Sequence, residues 1–277
     1  MTQHSAQPGA PAPRLVADDV TLAYDGHVVS QELSISIPDR SFTVIVGPNA
    51  CGKSTLLRAL SRLLRPTHGS IVLDGKAIAG YKPKEAARIV GLLPQSSVAP
   101  DGITVSDLVS RGRYPHQGLI RHWSSADEDA VESAMQATNV AGLRRRQVAE
   151  LSGGQRQRVW AAMALAQQTP ILLLDEPTTF LDIAHQIELL DLFADLHEAG
   201  NTLIAVLHDL NHAARYATHL IAMKDGRVIA HGTPGEVVTS DLVSDVFGID
   251  CLVVEDPETK TPLVIPKSRT HRRPDAG

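Results

Sequence analysis

The stretch that most constrains this chain is Phe42-Thr43-Val44-Ile45-Val46, followed at once by Gly47-Pro48-Asn49-Ala50-Cys51-Gly52-Lys53-Ser54. A continuous apolar run of this kind is what a strand buried on both faces of a sheet requires. The residues after it match G-x4-G-K-[ST]. Glycines there let the backbone curl so that successive N–H groups point at phosphate oxygens. The pattern predicts a helix from Lys53 to about Leu64, whose N-terminus adds its dipole to the same point. Strand, curled loop and helix in this order demand an α/β fold. In that setting Lys53 reaches the β- and γ-phosphates of a nucleotide, and Ser54 ligates Mg²⁺.

Composition narrows the class. The chain has 277 residues and 43% apolar content, enough for one large domain or two intimate subdomains. A net charge of -5 and an aromatic content of 4% argue against a nucleic-acid partner, which calls for a basic face or stacking platforms. Two cysteines, Cys51 and Cys251, make no disulfide framework, and Cys51 sits inside the phosphate loop. A reduced compartment is therefore expected. Residues 1–13 lack the basic start and apolar run of a secretory signal. No apolar stretch reaches the roughly 18–20 residues that a membrane helix needs. The chain is expected to be soluble, with any membrane role supplied through a partner.

Along the chain, strands and helices alternate. Strands are predicted at Leu15–Tyr24, Glu32–Ile37, Ile71–Leu73, Ile89–Leu93, Ile171–Leu174 and Thr202–Leu207. Residues 104–147 change character: Thr104–Arg111 and Ala126–Asn139 read as amphipathic helices with no strand between them, which suggests a helical insertion. Helices follow at Gly153–Gln168, Ile183–Glu198 and Asp209–Tyr216. Lys224-Asp225-Gly226 marks a tight hairpin between Leu220–Met223 and Val228–Ala230. A last hairpin is expected from Cys251–Val254 and Leu263–Ile265. Residues 1–13 read as a disordered leader and residues 267–277 as a disordered basic tail. There is one phosphate loop and no internal repeat.

Three further groups carry chemistry. Asp175 and Glu176 end the apolar strand Ile171–Leu174. Asp175 is placed to hold Mg²⁺ through water, and Glu176 to orient or deprotonate an attacking water. Standing alone they would read equally as two solvated acids at a strand end. Leu151-Ser152-Gly153-Gly154-Gln155 places an N-capping serine and two unshielded glycine amides at a helix start. By itself this reads as a capped helix; in a chain with one phosphate loop, a second anion-reading helix start without a lysine suggests service to another molecule's nucleotide. His208 follows the strand Thr202–Leu207 and could hold Glu176 and water in line. Gln95 follows the strand at residues 89–93 and could sense Mg²⁺ or that water. Asp182 is by itself a helix N-cap, and Tyr24 reads equally as a purine-stacking ring or a strand-edge core aromatic.

This ordered set resembles the ATP-binding-cassette (ABC) ATPases over residues 14–266, nearly the whole chain. The family's fold is an α/β P-loop NTPase cassette: a mixed-sheet core, an N-terminal antiparallel β subdomain and an inserted α-helical subdomain, here at about residues 96–168. The resemblance implies Tyr24 as the adenine-stacking aromatic, Gly47 to Thr55 as the Walker A loop and Gln95 as the Q-loop glutamine. It further implies Leu151–Gln155 as the signature, Ile171–Asp175 as Walker B, Glu176 as the catalytic glutamate, Asp182 as the D-loop aspartate and His208 as the switch histidine. Ala50 stands where close relatives often carry glycine, with little expected effect. ATP and Mg²⁺ are the implied ligands. Two copies would sandwich two ATPs, each held by Walker A of one copy and Ser152, Gly153, Gly154, Gln155 and Asp182 of the other. A pair of transmembrane permease subunits would anchor the dimer to the inner face of the cytoplasmic membrane, and an extracytoplasmic binding protein would act indirectly. The finer resemblance is to cassettes that power ferric siderophore import. It rests on Asp101–Val105, Arg111–Gln117 (where such cassettes meet the permease), Thr178–Gln186, Leu207–Asn211 and the tail from Asp256 to Val264. Haem, cobalamin or another metal chelate is the alternative cargo. A soluble ABC protein of non-transport function is disfavoured because this chain has neither tandem cassettes nor a long coiled-coil insertion.

Overall fold

The computed structural model describes residues 13–24, 26–95, 98–118 and 123–268. The expected leader and tail lie, but for residue 13 and residues 267–268, outside the described residues.

The N-terminal part is an antiparallel sheet. Strand β1 (Leu15–Tyr24) pairs with β2 (His27–Ile37), and β3 (Phe42–Val46) then leaves for a second sheet. Helix α1 (Lys53–Leu60) follows the phosphate loop. β4 (His68–Leu73) and the two-residue β5 (Lys76–Ala77) complete the first sheet in the order β2-β1-β4-β5. A short α2 (Pro83–Ala87) leads to β6 (Val90–Leu93). The chain is then helical up to the next long strand. It runs through α3 (Val105–Ser110), a 3-10 segment at Arg111–His116, α4 (Ser125–Ala137) and α5 (Gly153–Ala166). The α/β alternation resumes with β7 (Ile171–Asp175), α6 (Ile183–Glu198), β8 (Thr202–Val206) and α7 (Leu210–Tyr216). β9 (His219–Lys224) and β10 (Arg227–Gly232) form the predicted hairpin. After α8 (Pro234–Val237) and α9 (Ser240–Phe247), β11 (Cys251–Glu255) and β12 (Pro262–Pro266) close the chain as a separate antiparallel pair. The architecture is α/β, with an antiparallel β subdomain, a mixed-sheet core and a helical subdomain.

The main sheet has the order β10-β9-β3-β8-β7-β6, parallel except for the β9–β10 pair. Its central strands are buried throughout and mostly apolar because both faces are covered. In β7, Leu172 and Leu174 join the core beneath α5 and α6, while Ile171 and Leu173 join the core that contains α1 and the antiparallel sheet. Each such fully buried side chain contributes roughly 1.5–3 kcal/mol relative to exposure. Register then sets the function: Leu93 pairs with Leu174, Asp175 with Val206, and Ile45 with Val206. The residues just beyond these strand ends are therefore neighbours at one carboxyl edge of the sheet, where open α/β sheets bind ligands.

The structure departs from the sequence expectations at the ends of elements. Helix α1 stops at Leu60, not Leu64. Arg62 enters the left-handed region (φ 68), and the N–H groups of Leu63 and Leu64 turn back to the Arg58 carbonyl. β2 begins at His27, ahead of the expected Glu32; the adjacent Val28 and Val29 and the buried Ser30 break the apolar alternation that marks the rest of the strand. Helices α2, α8 and α9 went unread, since four to eight residues span too little of the helical period.

Candidate functional site

Four loops converge at that carboxyl edge. The loop after β3 begins at Gly47 (φ 154), where a Cβ would collide with the Met223 carbonyl oxygen, and ends at Gly52 (φ 101), the N-cap residue of α1. Both positions need glycine. Ala50 between them also adopts a left-handed conformation, φ 60. The expectation that alanine is neutral there therefore misses a backbone cost: an L-residue with a Cβ is disfavoured in this region.

Lys53 is 5% exposed, and its Nζ donates to the carbonyls of Gly47 (2.9 Å) and Pro48 (2.7 Å). Among the described residues no carboxylate pairs with it. A buried ammonium without a counter-charge suits an incoming anion. Cys51 is buried with its Sγ 3.9 Å from Lys53 Nζ. Burial pushes its thiol up against the pull of Lys53, so it serves packing and not nucleophilic chemistry. Ser54 Oγ donates to Asp175 Oδ1 at 2.7 Å. Burial, helped by the neighbouring Glu176 charge, raises Asp175 above the ordinary carboxyl range, while Ser54, Arg58 and Lys53 oppose the shift. Hydroxyl and carboxylate are hard oxygen donors. Among the described residues no group of three or more His, Cys, Asp or Glu side chains forms a metal cage. Such a pair fits a Mg²⁺ ion that fills its remaining positions with water and phosphate oxygens.

Glu176 is held from two sides. Gln95 Nε2 donates to its Oε2 at 2.6 Å, and His208 Nε2 lies 2.7 Å from its Oε1. Its side chain is 12% exposed, and its backbone is left-handed, φ 52. These groups border a cleft of about 880 Å³ lined also by Val29, Asn49, Ala50, Thr179 and the stretch Gly52, Lys53, Ser54 and Thr55.

The structure thus gathers Lys53, Ser54, Thr55, Gln95, Glu176 and His208 at one cleft, with Asp175 bonded beneath it. Asn49, Ala50 and Gly52 line the same cleft, whereas Tyr24 and the residues expected to act on a partner's nucleotide do not. Tyr24 lies at the end of β1, where its hydroxyl accepts a hydrogen bond from Arg58 Nη1 (3.0 Å). Ser152, Gly153, Gly154, Gln155 and Asp182 lie outside the cleft lining. Ser152 caps α5 in a reciprocal capping box with Gln155, and the Asp182 carboxylate caps α6 by accepting from the His185 N–H. Thr179 and Val29 were not assigned a role from sequence, and neither carries a residue-type signal that would single it out. Arg113, within the stretch expected to face a permease, is instead buried: it pairs with Asp127 (2.8 Å) and donates to the Ala166 carbonyl (2.8 Å). Tyr114 beside it is exposed. A second cavity, of about 480 Å³, lies between α4, α5 and α6, but its Gln168 and Asn201 side chains are engaged by Arg113 and by the Thr169 carbonyl.

The chain is similar to known proteins along most of its length. A family pattern described as ABC transporter matches residues 30–179. The chain is 55% identical to the ferric enterobactin transport ATP-binding protein of Escherichia coli (strain K12), over 93% of this chain and 95% of that protein. It is 52% identical to a probable siderophore transport system ATP-binding protein of Bacillus subtilis (strain 168), over 91% of this chain and 92% of that one. It is 42% identical to a hemin import ATP-binding protein of Myxococcus xanthus (strain DK1622), over 87% and 92%. Among solved structures, an inward-facing metal-chelate-type ABC transporter aligns with TM-score 0.78 and 26% identity, covering 94% of this chain and all (100%) of that chain. A dimeric bacterial ABC transporter cassette aligns with TM-score 0.72 and 26% identity, covering 79% of this chain and 98% of that chain.

Proposed function

Because this chain belongs to the ABC transporter family, we propose that it is the ATP-hydrolysing subunit that energises import of a ferric siderophore through a membrane permease. Two observations support the reading. Glu176, Gln95, His208 and Lys53 share one cleft, and the siderophore-transport relatives align over nine-tenths of the chain.

In this mechanism the curled loop and Lys53 hold the β- and γ-phosphates of ATP. Ser54 and Asp175 would hold Mg²⁺, which when bound offsets charge on the phosphate oxygens. Glu176 orients the attacking water and takes its proton. Gln95 and His208 each use one of its lone-pair sites and the Thr179 hydroxyl donates weakly to Oε2 (3.4 Å), which leaves a carboxylate site for water. Gln95 and His208 also fix the direction in which the carboxylate points. Phosphoryl transfer requires positioning and charge stabilisation more than covalent chemistry, so a fixed base beside a phosphate cradle is sufficient machinery. A second copy completes the site. Ser152, Gly153, Gly154 and Gln155 offer a capped helix start to the γ-phosphate of the partner copy, with Asp182 beside it. Among the described residues no helix is long and apolar enough to cross a membrane. Attachment at the cytoplasmic face would therefore run through the permease pair.

The test is a deletion strain grown with a ferric siderophore as sole iron source. Growth should be lost, restored by the intact gene and not restored by Glu176→Gln. Normal siderophore growth with loss of haem utilisation would reassign the cargo to haem and leave the ATPase reading standing.

A further inference from the structure

The helix that starts at Ser152 does more than present its end to another molecule. One face of α5 packs directly on the segment that follows Glu176. A Cβ on Gly153 would stand 3.5 Å from Phe180 Cβ, and one on Gly154 would stand 3.3 Å from Leu181 Cδ2 and 3.5 Å from the Phe180 carbonyl. Gln157, one turn beyond Gly154 and so on the same face, reaches across. Its side chain is buried at 6% exposure, and Nε2 donates to the Pro177 carbonyl at 3.0 Å. Pro177 is the residue after Glu176. The segment bears two non-glycine residues in left-handed conformations, Glu176 (φ 52) and Phe180 (φ 67). Such conformations persist only where the surroundings hold them. The Glu176 carbonyl is also tied back by the Thr179 N–H (3.3 Å), which closes a tight turn.

We propose that Gln157 is a positioning residue for Glu176: from the signature helix it pins the Pro177 carbonyl and so holds the strained backbone that aims the carboxylate into the cleft. The proposal rests on the reading of Glu176 as the base. Gln157 touches neither nucleotide nor water and acts only through the 177–178 peptide, one residue beyond Glu176. Because the same helix carries Ser152, Gly153 and Gly154, a displacement of the signature reaches Glu176 along this bond.

The experiment uses the full-length chain with Gln157→Met and Gln157→Leu, which keep the volume and remove the donor. Turnover should fall about tenfold, the order expected for loss of one buried hydrogen bond. KM for ATP and binding of a fluorescent ATP analogue should stay within about twofold, since the phosphate cradle is untouched. The decisive arm is the double variant with Glu176→Gln: once the base is gone, removing its positioner should cost no further rate. Unchanged turnover in both single variants would overturn the proposal. So would a rate loss in the double variant equal to that in the single one, or a loss of ATP binding and melting temperature in step with turnover. If Glu176→Gln alone hydrolyses ATP at the normal rate, the reading of Glu176 fails independently of Gln157.

Discussion

His208 Nε2 stands 2.7 Å from Glu176 Oε1, joining the ends of two strands, β8 and β7, that are hydrogen-bonded neighbours in the main sheet. With Gln95 on the other carboxylate oxygen, Glu176 is held at the cleft by residues from both adjacent strand ends.

Glu176→Gln keeps the shape and removes the base. Hydrolysis should fall by about 10²–10⁴-fold while ATP binding persists. The variant should accumulate as an ATP-bound dimer on size-exclusion chromatography. Wild-type phosphate release would remove Glu176 from the mechanism.

Lys53→Ala deletes the buried ammonium that faces the phosphate loop. Loss of one charged hydrogen-bonding group should weaken nucleotide affinity by about 10–100-fold, measured by titration with a fluorescent ATP analogue. The far-ultraviolet circular dichroism spectrum should not change. Near-normal affinity would count against the phosphate role.

Ala50→Gly removes a Cβ from a left-handed position. The relief should be about 1 kcal/mol, seen as a higher urea midpoint with unchanged slope. The residue is exposed, so no packing is lost. A lower midpoint would mean that the added backbone freedom outweighs the strain.

Asp127 joins the 3-10 segment to α4 and α5 through Arg113. Its carboxyl is held down to about 2 from an ordinary 3.8, first by the Ser124 hydroxyl and then by Arg113. Because the folded value lies below the ordinary one, its stabilising contribution is complete above about pH 4. It is lost as pH falls through about 2. Asp127→Asn should flatten the stability profile across that window. At neutral pH, Asp127→Ala leaves Arg113 buried and unpaired, and should cost about 3–5 kcal/mol in chemical denaturation.

Much of the site was legible in the sequence because its chemistry is written locally. Gly47 to Ser54 announces itself by residue types that no other backbone geometry requires. Asp175 and Glu176 do so by ending an apolar strand. Ser152 and Asp182 do so as helix caps, and both caps form as expected. The long elements with sustained periodicity, such as Ile183–Glu198, were readable to the residue. Short elements and helix ends were not, because they rest on single turns such as the one at Arg62. Thr179 and Gln157 were not legible either. A threonine in a loop and a glutamine on a helix carry no pattern of their own, and each gains its meaning from what lies across from it in space.

The sequence by itself determined the phosphate loop, the carboxylate pair, the helix caps and the α/β order. Each depends on interactions within a few residues along the chain. Only the tertiary structure decided that Gln95, Glu176 and His208 meet, because strand order and register bring distant strand ends to one edge. It also decided that Arg113 turns inward to a buried carboxylate, that Ala50 carries backbone strain, and that the signature helix reaches the Pro177 carbonyl next to Glu176. Those outcomes follow from packing between segments far apart in sequence, which local residue patterns do not encode.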